Sequence, residues 1–372
     1  MRKSFLFALS VLLLVPASRA GADRCDAPAP VCAAAKNVVM ISSFEPVGSA
    51  VILEKGLLVT NRHMVADNPV VDVVLADGSK LKARVAPSDY PGDLVELLAP
   101  DIDAAPLPRN EKISPDTTLY VIGFDVGRGA VRVYAPGHLI APKADTPLAR
   151  LHHDARSLPG NSGGALVDAT GALVGIIASG GEGRNEAIPV DALPRLHASS
   201  GPDKIEVSLG IGRAYRRCVE RLDDARAARQ RMSEGDAIKI SAACLATGNR
   251  QLLDLAGQMF GTNRDLPRAL EMLEASYRID PNAPNALISL AVTYHIAGRF
   301  KDEIPILYRG LKLLPDEPQL LRLALQAGIW GGDRELADMA MRQIETRLPE
   351  MAPAARRFYD ASPPPPRMKP PG

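Results

Sequence analysis

Aromatic residues are scarce in this chain. Seven Phe, eight Tyr and one Trp make up 4% of its 372 residues. That leaves little with which to build a surface that stacks nucleic-acid bases. Charge of one sign is also missing. Forty-four Lys and Arg against 43 Asp and Glu give a formal net charge of +1, so nothing steers the protein toward polyanions or an anionic membrane. There are only four cysteines, and their spacings are not those of a zinc site. None of the six histidines clusters beside them. No metal or organic cofactor is implied. Past the amino terminus, no apolar run is long enough to span a bilayer.

What is present begins at that terminus. Arg2 and Lys3 precede a short apolar run, Phe5 to Val15, and the small-x-small sites Ser18-Arg19-Ala20 and Ala20-Gly21-Ala22 follow. This pattern predicts a cleaved signal peptide over residues 1–22, and hence a periplasmic or secreted protein. The competing reading, a membrane anchor, needs a longer run. Export permits disulfides, and four cysteines allow three pairings. Nearness in the chain favours Cys25 with Cys32 and Cys218 with Cys244, the second pair stapling two helices.

With 46% hydrophobic residues, the chain can fill more than one core. After a Pro/Ala-rich lead-in, short β-branched runs separated by turns extend from Asn37 to about Val190. Among them are Val38–Ile41, Leu57–Thr60, Val70–Leu75, Leu119–Ile122 and Leu173–Ala178, with a hairpin signal at Asp77-Gly78. Ser199-Ser200-Gly201-Pro202 reads as a linker, and everything after Ile205 reads as helix. A 34-residue step then appears, in Pro281, Pro315 and Pro349 and again in Leu253, Leu287 and Leu321. Ala269, Glu303 and Ala337 keep it too, and Gly298 pairs with Gly332. This resembles the tetratricopeptide repeat, a helix pair per unit. Glu303 and Gly328 depart from that pattern, standing where a small residue and an aromatic are expected. The expected domains are 37–198 and 205–350, with a disordered Pro-rich tail over 361–372.

Three stretches carry chemistry. Pro159-Gly160-Asn161-Ser162-Gly163-Gly164 puts a serine in a glycine-rich loop that leads into an apolar strand. A serine hydroxyl is a weak nucleophile and needs a base and oxyanion donors. Upstream, Thr60-Asn61-Arg62-His63 ends one strand-like run, and Asp93 opens another in Asp93-Leu94-Val95. The order His63, Asp93, Ser162 and these three motifs resemble the trypsin-like serine proteases, in the DegP/HtrA branch, over roughly residues 37 to 198. Gly171 to Ile176 and Ala187-Ile188-Pro189-Val190 extend the likeness.

The resemblance implies a multidomain fold, an all-β chymotrypsin-like double barrel followed by an all-α helical-repeat domain. It also implies a serine endopeptidase acting on protein or peptide substrates. Ser162 is then the nucleophile, His63 the general base and Asp93 its orienting acid. The amides of Gly160 and Ser162 form the oxyanion hole. Asp89, four residues before Asp93, is the rival acid. Arg156, Ala178, Ser179 and Gly180 are expected to border the substrate pocket. Asn161 stands where digestive relatives carry an aspartate that pairs with a freed amino terminus, so no zymogen step of that kind is expected. His138, His152, His153, His197 and His295 read as ordinary loop or strand residues. The helical repeats take the place of the PDZ modules usual in the branch and offer a surface for a protein partner. The alternative is a catalytically silent scaffold or chaperone acting through protein binding.

Overall fold

A computed structural model describes residues 25–180, 184–228 and 232–365. The expected signal peptide and the end of the Pro-rich tail, 366–372, lie outside the described residues.

A short helix, α1 (Ala29–Ala34), leads into the first β unit. This unit comprises β1 (Val38–Ser42), β2 (Gly48–Glu54), β3 (Leu57–Thr60), helix α2 (Arg62–Val65), β4 (Val70–Val74), β5 (Lys80–Val85) and β6 (Val95–Leu98). The strands close into a barrel in the order β1-β2-β3-β6-β5-β4. Closure leaves no unpaired edge. Side-chain alternation sets the register: Val71 and Val73 of β4 face inward with Ile41, Leu58 and Leu97, while Asp72 faces out. The predicted turn forms at Asp77-Gly78, where Gly78 has φ +83° and Asp77 accepts from the Ser79 amide at 2.9 Å.

The second β unit comprises β7 (Leu119–Asp125), β8 (Ala130–Val133), β9 (Leu139–Ala141), β10 (Leu151–His153), β11 (Ala165–Asp168), β12 (Leu173–Ser179) and β13 (Asn185–Pro189). It is an antiparallel sheet ordered β8-β7-β11-β12-β13-β10-β9, a half-barrel set against the closed one. Val51, Val59, Ile122, Val167 and Ile176 share one core, so the two β units are packed together.

Helix α3 (Leu193–Ala198) follows. The stretch read as a linker is tied to the barrel: Ser199 O accepts from Asp89 N at 3.1 Å, and Gly201 N donates to Pro87 O at 2.9 Å. The helical unit comprises α4 (Ile205–Ala227), α5 (Glu234–Leu245), α6 (Arg250–Thr262), α7 (Leu266–Ile279), α8 (Pro284–Ile296), α9 (Phe300–Leu313), α10 (Pro318–Gly331), α11 (Arg334–Arg347) and α12 (Ala352–Ala361). Starts at 250, 284 and 318, and at 266, 300 and 334, are each 34 apart, so α6–α11 are three helix pairs on one period. Asn249, Asp265 and Asp333 cap α6, α7 and α11 by accepting backbone amides. The two departures from the repeat have local causes. Glu303 is fully buried and accepts from His295 Nδ1 at 3.0 Å. At Gly328 a Cβ would lie 2.7 Å from the Ala337 amide nitrogen, so α10 and α11 cross too closely for any side chain there.

The cysteines pair as Cys25–Cys32 and Cys218–Cys244, with S–S distances of 2.02 and 2.06 Å. The second joins α4 to α5. Helix α4 lies against α2: a Cβ on Gly212 would meet the Ala66 carbonyl at 2.3 Å, and Arg216 Nε donates to Asp67 at 2.6 Å. Tyr215 of α4 is fully buried there, a contact worth about 2 kcal/mol by area. Trp330 Nε1 donates to the Pro363 carbonyl at 2.9 Å, which holds the start of the Pro-rich stretch against α10. Among the described residues no helix is long and apolar enough to cross a membrane.

Candidate active site

Strand pairing builds the site. Antiparallel β3 and β6 set Thr60 opposite Val95, so the chain leaving β3 and the chain entering β6 meet at one end of the barrel. His63 and Asp93 sit on those two segments. His63 Nδ1 is 2.7 Å from Asp93 Oδ2, and the His63 amide donates to Asp93 Oδ1 at 3.0 Å. Asn61 Nδ2 fixes the Asp93 carbonyl at 3.1 Å. Burial disfavours charge on Asp93, but His63, the nearby Arg150 and the His63 amide outweigh it and hold the carboxyl below its usual range. An ionised carboxylate only accepts, so Nδ1 carries the proton and Nε2 is left as a base.

Ser162 arrives from the other β unit. Ser49 of β2, which no motif marks, fastens its loop. The Ser49 amide donates to Ser162 O at 2.8 Å, its Oγ donates to Gly160 O at 2.7 Å and accepts from Phe124 N at 2.8 Å. Gly160 has φ +96° and Gly163 φ +83°. A Cβ on Gly163 would lie 2.0 Å from the Ser49 carbonyl oxygen, so only glycine lets the two β units approach here. Asn161 is fully buried and satisfied within the fold. Its Nδ2 donates to Phe124 O at 3.1 Å and Tyr134 Oη at 3.2 Å, and its Oδ1 accepts from Leu158 N at 2.7 Å. The amides of Gly160 and Ser162 make no hydrogen bond among the described residues. The Ser162 hydroxyl donates to the Ala178 carbonyl at 3.3 Å, not to His63.

Other expected residues fall as follows. Asp89 pairs with Lys204 at 2.9 Å, away from His63. Arg156 is exposed. Ala178 is buried on the strand facing Ser162, and Gly180 lies in a cleft of about 440 Å³ with Arg184, Asp254, Gln258, Asn285 and Gln319. Among the described residues no cluster of His, Cys, Asp and Glu could hold a metal ion.

The two adjacent histidines lie on β10. His152 Nε2 donates to the buried Asp280 carboxylate at 2.8 Å, at the end of α7. His153 beside it has neither ring nitrogen bonded, and burial, with His152 adjacent, lowers its pKa to about 4. Behind the site lies a set of buried charges that motif reading missed. Arg150 Nη2 is 3.7 Å from Asp93 Oδ2, and its Nη1 donates to Glu186 Oε2 at 2.9 Å. Glu186 also bonds Arg250 of α6. The available signal was a charged residue embedded in an apolar strand, Glu186 before Ala187-Ile188, since such a charge is either exposed or paired.

Comparison with known proteins bears on this region. Residues 48–176 match the trypsin-like peptidase domain family. This region is similar to the peptidase domains of the HtrA/DegP serine proteases. It is similar to the serine protease Do-like HtrA of Lactobacillus helveticus, 31% identical over 33% of this chain and 32% of that protein. It is likewise similar to the periplasmic serine endoprotease DegP of Salmonella typhimurium, 33% identical over 36% of this chain and 30% of that protein. Among solved structures, the HtrA-type protease AlgW with tripeptide is 32% identical over 46% of this chain and 62% of that one, with a TM-score of 0.40. The chain thus spans about a third of the length of the curated relatives it matches.

Proposed function

We propose that this protein is an exported serine endopeptidase, and that His63, Asp93 and Ser162 carry the reaction. The observation behind this is the His63–Asp93 pair at 2.7 Å at the mouth of the barrel, with the Ser162 loop stapled to the same barrel by Ser49. Ser162 Oγ attacks the scissile carbonyl while His63 Nε2 takes its proton. The tetrahedral oxyanion is met by the amides of Gly160 and Ser162. His63 then gives the proton to the leaving amine, the C–N bond breaks, and the acyl-enzyme remains. Water, deprotonated by His63, releases the acid and restores Ser162. Asp93 holds the imidazole tautomer throughout.

The amino-terminal pattern and the periplasmic DegP relative support export. The 34-residue helical period supports a tetratricopeptide-type array that binds polypeptide. The cleft shared by Gly180 and helices α6, α8 and α10 is where such a chain would pass from array to barrel. Digestion of a permanently unfolded casein tests the activity: fragments with the parent chain and none with Ser162→Ala are expected. Intact casein with both would favour the scaffold reading, for which the Ser162 bond to Ala178 is the supporting observation.

A further inference from the structure

The catalytic acid is not backed by solvent. Behind it stands Arg150, which the helical unit holds directly by its backbone amide and indirectly, through Glu186, by its side chain. The Arg150 amide donates to Asp280 Oδ2 at 3.0 Å. The segment before it is pinned to the α7–α8 turn by Thr146 Oγ1 donating to Ile279 O at 2.7 Å and Asn282 Nδ2 donating to Pro142 O at 2.7 Å. Its guanidinium bonds Glu186, which Arg250 of α6 grips from the far side. A cavity of only about 20 Å³, lined by Asp93, Arg150, Asn249 and Arg250, separates the acid from α6. The charges therefore alternate along one buried path: Asp93, Arg150, Glu186, Arg250. All four are nine-tenths or more buried, where Coulomb terms are weakly screened.

We propose that Arg150 is a positioning residue for Asp93, and that Arg250 of the helical array sets its place and effective charge through Glu186, so that the array tunes how readily His63 takes a proton. This rests on the assignment of His63, Asp93 and Ser162 as the reacting set. The physical logic is one of sharing. Arg150 divides its positive charge between Asp93 and Glu186. Arg250 partly neutralises Glu186 and so releases Arg150 toward Asp93. A cation against Asp93 weakens the field that favours imidazolium. Rotation of α6 or of the α7–α8 turn on binding a polypeptide would alter that division, and the coupling is reciprocal.

Other groups face this path. Arg62 and His63 come from α2, Tyr90 lies beside Arg150 and Asp93, and Asp191 acts on Tyr90. Arg195 of α3 acts on Tyr90, and Tyr215 of α4 faces Asp93 and Arg62. His152 and His153 flank Glu186, Asp154 acts on His153, and Asp254 and Asp280 complete the helical side. None of these bridges Arg150 to Arg250 as Glu186 does.

The test reads the ring of His63 directly, by NMR titration of histidine-labelled full-length Ser162→Ala, assigned against His63→Gln. It needs no turnover, so its failure is distinct from failure of the protease assignment, which a serine-directed fluorophosphonate on the parent chain reports. Arg150→Met is expected to raise the His63 titration midpoint by about half a unit to one unit, and Arg150→Lys to restore it. Glu186→Gln is expected to lower it, and Arg250→Gln to raise it. The deciding outcome is the double variant: with Arg150→Met present, Arg250→Gln should move the midpoint much less than it does alone. Should Glu186→Gln fail to fold, the Arg150 and Arg250 pair still decides. An equal effect of Arg250→Gln in both backgrounds, or no effect of Arg150→Met, overturns the proposal.

Discussion

Replacing Asp93 with asparagine removes one acceptor from a site that uses two. In the parent, Oδ1 accepts the His63 amide at 3.0 Å and Oδ2 accepts His63 Nδ1 at 2.7 Å, while Arg150 Nη2 stands 3.7 Å from Oδ2. Asparagine has a single oxygen. If that oxygen keeps the backbone amide, its NH₂ group faces Nδ1, which must become the acceptor. The ring proton moves to Nε2, and the face turned to Ser162 can no longer take a proton. The cost expected for holding the wrong tautomer is a fall of about 10⁴-fold in kcat, or roughly 5.5 kcal/mol in the barrier. If the oxygen turns to Nδ1 instead, the His63 amide loses its partner and the loop is held less firmly. The assay is kcat and KM on a peptide substrate at neutral pH, with circular dichroism to show that the variant is folded. KM should change little, because Asp93 touches no substrate. A folded Asp93→Asn protein that loses less than tenfold in kcat would show that Asp93 does not set the His63 tautomer.

Three further outcomes follow from particular contacts. Gly160→Val puts a side chain where a Cβ already comes within 2.7 Å of the Phe124 carbonyl oxygen at φ +96°, so the amide proposed to meet the oxyanion is displaced and kcat should fall by about 100-fold or more; a rate within a factor of two of the parent would contradict this. Replacing Cys218 and Cys244 with serine opens a loop of 26 residues between α4 and α5 and should lower denaturant stability by about 3 kcal/mol; an unmoved midpoint would contradict it. His153 is buried neutral, with its pKa lowered from 6.5 to about 4, so the unfolded chain binds a proton that the fold refuses. Its stabilising effect is whole above pH 6.5 and is lost on acidification toward pH 4, by about 3 kcal/mol in all; His153→Leu should flatten that part of the stability–pH curve.

Much of this was legible because it is written in short range. The alternation of Val70–Leu75, the Asp77-Gly78 turn and the 34-residue spacing each follow from local periodicity, and α6, α8 and α10 begin on that spacing. Asp93 was separable from Asp89 by its place before Leu94-Val95, and the two differ in space as well, Asp89 pairing with Lys204. What escaped was long range. Ser49 fastens Gly160 and Ser162 more than a hundred residues away, and nothing around Ser49 marks it. His152 reads as a strand histidine until α7 brings Asp280 to it across 128 residues. Glu303 and Gly328 look like faults in the repeat, yet one is the buried partner of His295 and the other the only residue that fits where α10 meets α11. The charge path from Asp93 to Arg250 joins four segments that the sequence keeps far apart.

As proposed, Ser162 is a nucleophile activated by His63. Intact mass and peptide mapping after treatment of the full-length protein with a fluorophosphonate test it most directly. One adduct per chain, on Ser162, absent in Ser162→Ala and strongly slowed in His63→Ala, is the predicted result. A folded protein that stays unmodified at Ser162 across the neutral range, or that is modified equally fast without His63, would contradict it.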